Sequence, residues 1–132
     1  HNLGLSRAAA TDRAAELLSP AMFCPQVGQG AVAVECRSDD AATLAVLADL
    51  DDRPTRVCVE AERSFLAELG GDCYMPAGAY ATLDGSTLSI IGVLDVGGTR
   101  PARAKLTGDA SGYGPIELGL ELARKLLATG RS

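Results

Sequence analysis

From Thr55 onward, Val57, Ala61, Phe65 and Leu69 recur every four residues, with Glu62, Arg63 and Glu68 elsewhere. That period predicts an amphipathic helix. It ends at Gly70-Gly71, since glycine takes the left-handed conformation of a helix terminus without steric cost. Strand patterns follow. Asp84-Gly85 predicts a two-residue hairpin and Gly97-Gly98 a second one. A third strand over 99–106 sets Arg100, Ala102, Ala104 and Leu106 against Pro101, Arg103 and Lys105, and its proline predicts a sheet edge. Tyr113 to Thr129 predicts a closing helix with Ile116, Leu120, Ala123 and Leu127 as its stripe, widened by Leu118, Leu122 and Leu126. Helix, three-strand meander and helix together predict an α+β module, a small three-stranded antiparallel sheet with its helices on one face.

The first half is patterned less regularly. Residues 7–18 are rich in helix formers and stop at Ser19-Pro20, predicting a short alanine-rich helix. Ala31-Val32-Ala33-Val34, between Gly30 and Glu35, predicts a buried strand over 31–36. Ser38-Asp39-Asp40 offers helix-capping oxygens, and Leu44, Leu47 and Leu50 recur at helical spacing until Asp51-Asp52 and Pro54.

Composition narrows the function. The formal charge is −5, from 12 Lys and Arg against 17 Asp and Glu, with no basic run. This argues against nucleic acid or an anionic membrane surface as a partner. No apolar stretch nears the roughly 20 residues that cross a bilayer, and the first residues show no targeting pattern, so a soluble, cytoplasmic protein is expected. The four cysteines, Cys24, Cys36, Cys58 and Cys73, form no C-x-x-C pair and accompany a single histidine, so no metal site is expected. Cys36 and Cys58 fall in apolar patterns and are read as buried free thiols.

Two segments carry the chemistry: V-G-Q-G-A-V-A-V-E-C-R at 27–37 and A-E-R-S-F-L-A-E-L-G-G-D-C-Y-M-P-A-G-A-Y-A at 61–81. In this order and separation they resemble the porphobilinogen deaminase (hydroxymethylbilane synthase) family. The resemblance implies a three-domain enzyme, with 1–26 the end of the second domain, 27–52 a return of strand and helix into the first, and 53–132 the C-terminal, cofactor-anchoring domain. It implies a transferase of porphyrin and heme biosynthesis that joins four porphobilinogen molecules, with loss of ammonia, into the linear tetrapyrrole hydroxymethylbilane. The product grows on a dipyrromethane cofactor tied by a thioether to the cysteine of the glycine-rich loop, which here is Cys73. The implied partners are porphobilinogen and the remaining domains of the same enzyme, which would be a monomer at full length. Two positions depart from the family pattern. Asp72 stands where many relatives have glycine, and Asn2 where relatives usually place a basic residue.

A thiol suits such an anchor, because sulfur attacks the electrophilic azafulvene left when an aminomethylpyrrole loses ammonia. Cys73 follows a helix C-terminus, whose dipole disfavours a thiolate, so an anchor formed once fits better than a nucleophile used in every cycle. At Gln29 and Gly30, backbone N–H groups are candidates to meet a cofactor carboxylate, and a tight turn is the other reading. Arg63 is a candidate for a cofactor carboxylate or an interdomain ion pair, against an ordinary exposed arginine. No catalytic residue is assigned in this chain, because the family's arginines and proton-transferring aspartate belong to the first two domains. A fragment inactive by itself is therefore expected. The alternatives are a non-catalytic α+β regulatory module and a degenerate deaminase-like protein.

Overall fold

A computed structural model describes residues 16–70, 76–95, 97 and 100–129 of the chain. The first regular element among them is α1, Ala41–Ala48, capped by Asp40, whose side chain accepts the Thr43 N–H at 3.0 Å. It buries none of its residues. Next comes α2, Arg53–Glu68, where Asp52 accepts the Thr55 N–H at 3.0 Å and Pro54 occupies the first turn. Proline costs nothing there, because N–H groups of the first turn have no partner within the helix. Val57, Ala61, Phe65 and Leu69 are all buried, as the four-residue period requires.

Strands β1 (Ala77–Asp84), β2 (Thr87–Leu94) and β3 (Ala102–Asp109) form an antiparallel sheet in that order. Asp84 pairs with Thr87, so the hairpin turns on Gly85-Ser86, one residue beyond the expected Asp-Gly. Gly85 has φ +59° and, among the described residues, no residue type but glycine takes positive φ, which fits a type II′ turn with glycine first. β3 is an edge strand as expected, but it starts after Pro101, whose missing N–H would interrupt a ladder. The chain closes with α3, Gly114–Thr129.

Both long helices cover the same face of the sheet, to which Ala79, Ala81, Leu88, Ile90 and Leu94 contribute core residues. The fold is α+β. The buried stripe of α3 is Leu118, Gly119, Leu122, Ala123 and Leu126, whereas Ile116 is exposed and Leu120 and Leu127 only partly covered. The expected main stripe was therefore displaced. Gly119 explains this: a Cβ there would run into Ser64 Oγ and Ala61 O of α2, so the helices approach most closely at a residue without a side chain. Ser64 Oγ bridges the crossing to Ile116 O at 3.0 Å.

Three expectations for the first half fare differently. The helix over 7–18 lies mostly outside the described residues, and 16–18 are not helical. Residues 31–36 form no strand, and Val32 and Val34 are 75% and 60% exposed. A strand needs a neighbour for its N–H and C=O groups, and no described segment pairs with this one. For the same reason Cys36 is exposed rather than buried, while Cys58 and Cys24 are half-buried.

Candidate functional site

The residues from Met22 to Ala31 bring the first half of the chain onto the module. Arg103 of β3 donates from Nη2 to Met22 O at 2.9 Å, and Cys24 Sγ faces the Ile91 carbonyl of β2 at 3.8 Å. Over β1 the backbones nearly touch: a Cβ on Gly78 would stand 2.7 Å from Pro25 O. Gly78, Val93 and Arg103 form one cross-strand row on the face away from the helices. The segment crosses that row, and Val27 then packs against the core. Gly28, at φ +68°, turns the chain towards α2.

Here it meets Glu62. The Glu62 carboxylate is 7% exposed and accepts two backbone N–H groups at 2.8 Å each, Gly28 on Oε2 and Ala81 on Oε1. Ala81 lies on edge strand β1, so Glu62 covers an edge donor that no strand pairs. Burial raises its pKa above the ordinary glutamate range, and the two N–H bonds pull it back only in part. Burial also raises the Cys58 thiol, with Glu62 and Asp52 adding to it, and the Cys24 thiol, where Arg103 opposes and Glu62 adds.

A cleft of about 800 Å³ opens beside this carboxylate, between the turn at 25–31, the first half of α2 and the end of β1. Gln29 and Gly30 both line it, as do Thr55, Cys58 and Tyr80. The Gln29 N–H is spent on Gln26 O at 3.1 Å, and its side-chain Oε1 accepts the Gln26 N–H at 3.3 Å. The Gly28 N–H of this turn meets a carboxylate, and that carboxylate is the chain's own. Arg63 is exposed, with no hydrogen bond or ion pair among the described residues. Cys73 lies outside the described residues, as do Gly71 and Asp72.

The flanks of its loop are nonetheless defined. Gly70, at φ +108°, ends α2, and Pro76 precedes β1, with its carbonyl accepting the Asp95 N–H at 2.9 Å. From Glu62 to Gly70, at 1.5 Å per residue, the helix advances roughly 12 Å. From Ala81 back to Ala77 the strand covers about 13 Å. Along the elements, Glu62 and Ala81 at the cleft thus stand roughly 12–13 Å from the flanks of the loop.

Glu62 is the residue that periodicity does not find, since the four-residue stripe leaves it on the polar side. The signal present was its place in A-E-R, directly before Arg63 and after a core alanine. No group of three or more metal-ligating side chains occurs among the described residues. No described helix is long and apolar enough to cross a membrane.

Two family models match the chain in succession: "Porphobilinogen deaminase, dipyromethane cofactor binding domain" over residues 2–45 and "Porphobilinogen deaminase, C-terminal domain" over 56–128. Among curated relatives, the porphobilinogen deaminase of Brevibacillus brevis is 41% identical over 128 residues, covering 96% of this chain and 40% of its own. That of Roseiflexus sp. (strain RS-1) is 42% identical over 127 residues, with 96% and 41% covered. That of Nocardia farcinica is 44% identical over 137 residues, with 96% and 39% covered. The chain thus spans about two fifths of the length of these relatives. Two matches in consecutive order, agreeing with the motifs at 27–37 and 61–81, place the chain in the porphobilinogen deaminase family.

Proposed function

We propose that the chain is the C-terminal part of a transferase that condenses four porphobilinogen molecules into hydroxymethylbilane on a dipyrromethane held as a thioether by Cys73. The observation that carries this reading is the succession of the two family matches over 2–45 and 56–128. The interval between them contains the proposed start of the anchoring domain at residue 53. On this reading 1–26 and 27–52 belong to the second and first domains.

When bound, the dipyrromethane would supply a primer whose free terminal pyrrole carbon accepts the first unit, each later unit joining the ring added before it. Its carboxylates ask for cations, and the described cleft does not provide them. The charged group lining that cleft is Glu62, whose oxygens already accept two N–H groups. A polycarboxylate does not fit there, because it would meet a like charge in a half-enclosed site. This division of labour supports an anchor in this part of the enzyme and carboxylate-binding cations elsewhere in the full-length protein. Arg63, exposed one position beyond Glu62, is one described cation placed to serve a cofactor carboxylate or a neighbouring domain. Gln29 and Gly30, which line the cleft, are the proposed backbone contacts of a cofactor carboxylate or the tight turn that returns the chain to the first domain.

The test is covalent. Coexpressed with the missing domains, the protein should gain the mass of two pyrrole units, and Cys73→Ser should abolish the gain. An increment that persists in that variant, or maps to Cys36 or Cys58, rejects the assignment.

A further inference from the structure

Five attachments follow one another along seven residues, four of them to different elements and one into the core. Met22 is held by β3, Cys24 and Pro25 lie over β2 and β1, Val27 enters the core, and Gly28 is bound by Glu62 on α2. The segment thus passes behind the sheet, rounds the edge of β1 and is fastened on the helix side. We infer that residues 22–28 form a strap whose fastener is Glu62, so that the Gly28–Gly30 turn moves with the three-stranded module rather than with residues 31–52.

Three observations make Glu62 the fastener. It is the buried charged residue among those described, and the two N–H groups it accepts belong to the strap and to β1. Among the described residues no cation pairs with it, and the hydrogen bonds that orient it come from these two N–H groups. Beyond the turn, whose last bond is from the Ala31 N–H to Gly28 O, α1 buries nothing and 32–36 form no strand, so no described hydrogen bond ties them to the module. On the reading of the preceding subsection, the boundary between the first two domains at 26/27 falls within the strap. Glu62 would then couple the position of that crossover to the cofactor-carrying unit. That consequence rests on the proposed function, whereas the strap itself does not.

Hydrogen exchange on the 132-residue chain tests the strap. Amides of 26–30 should be protected at least about tenfold over those of 31–36. Glu62→Gln places an amide N–H₂ opposite one of the two N–H donors. It should cost residues 26–30 that protection while leaving Leu88 and Ile90 in β2 unchanged. Gly78→Ala, which pushes Pro25 away without touching Glu62, should release the same residues. Should Glu62→Gln fail to fold, Gly78→Ala decides alone. A fastening role also predicts a pH profile. Glu62, electrostatically coupled to Cys24 of the strap and Cys58 of α2, with Arg103 acting on Cys24 from β3, should give the 26–30 protection a pH dependence. That dependence should be absent from Glu62→Gln after correction for intrinsic exchange. Equal exchange of 26–30 and 31–36 in the unaltered chain would overturn the strap. So would loss of β2 protection in step with 26–30 in both variants. Loss of cofactor attachment with the strap intact would instead reject the proposed function.

Discussion

Glu62 shows how a residue can be central to a fold and still hide in a sequence. Its burial depends on Gly28, 34 positions away, arriving with an N–H to donate. A period read along one helix cannot contain that information, because the covering chain is not part of the helix. Phe65, four positions from Ala61 and fully buried, was legible for the opposite reason: its own helix sets its direction. The chemistry of Glu62 leads to a prediction about pH. Its folded pKa is raised, chiefly by burial, so the folded protein holds this proton to higher pH than the unfolded chain does. Between the two values the folded state binds more protons, so this group's contribution to stability falls as pH rises through that interval. Thermal unfolding across the weakly acidic range should show that decline, and Glu62→Gln should remove it. Parallel curves for the two proteins would contradict the assignment.

At the scale of elements, local signals were read well where an element carries its own partners. The hairpin at Gly85, the caps at Asp40 and Asp52, and the stripe of α2 all follow from residues within a few positions. Two failures share a physical cause. The α3 stripe was displaced because Gly119, not a large side chain, sets the closest approach to α2. The strand at 31–36 was expected because its residues suit a buried strand, but pairing is supplied by another segment and none described supplies it. The helix crossing gives a sharp prediction. Gly119→Ala puts a methyl group against Ala61 O and the Phe65 N of α2, neighbours that cannot rotate away. Overpacking of this kind costs about 1–3 kcal/mol, and a clash with backbone belongs at the upper end. The measured loss in denaturant unfolding should therefore exceed that of Ala123→Gly on the same helix, where about 1 kcal/mol of propensity and a small contact are removed. A Gly119→Ala protein as stable as the parent would mean the helices lie further apart.

For the whole molecule, what was legible was the family and the α+β module, because the motifs at 27–37 and 61–81 are long and the module closes its own core. Spacing alone did not say where the cleft would lie relative to Gly70 and Pro76, since the length of chain between them fixes contour and not direction. Charge carries the prediction at this scale. Seventeen acidic residues outnumber twelve basic ones, and the cleft presents a carboxylate, so this chain should not turn over porphobilinogen by itself. Added to separately produced missing domains, it should restore tetrapyrrole formation, and turnover by the chain alone would refute its assignment as a cofactor-carrying part. The exposed run around Val32 and Val34 has a practical corollary. Its unpaired backbone and β-branched side chains make it a template on which another copy can lay down the same run, checked by Glu35 and Arg37 at one end only. Handled without the rest of the enzyme, the chain should self-associate as its concentration rises. Light scattering of the parent beside Val32→Lys, which places a charge inside the run, should show the association suppressed.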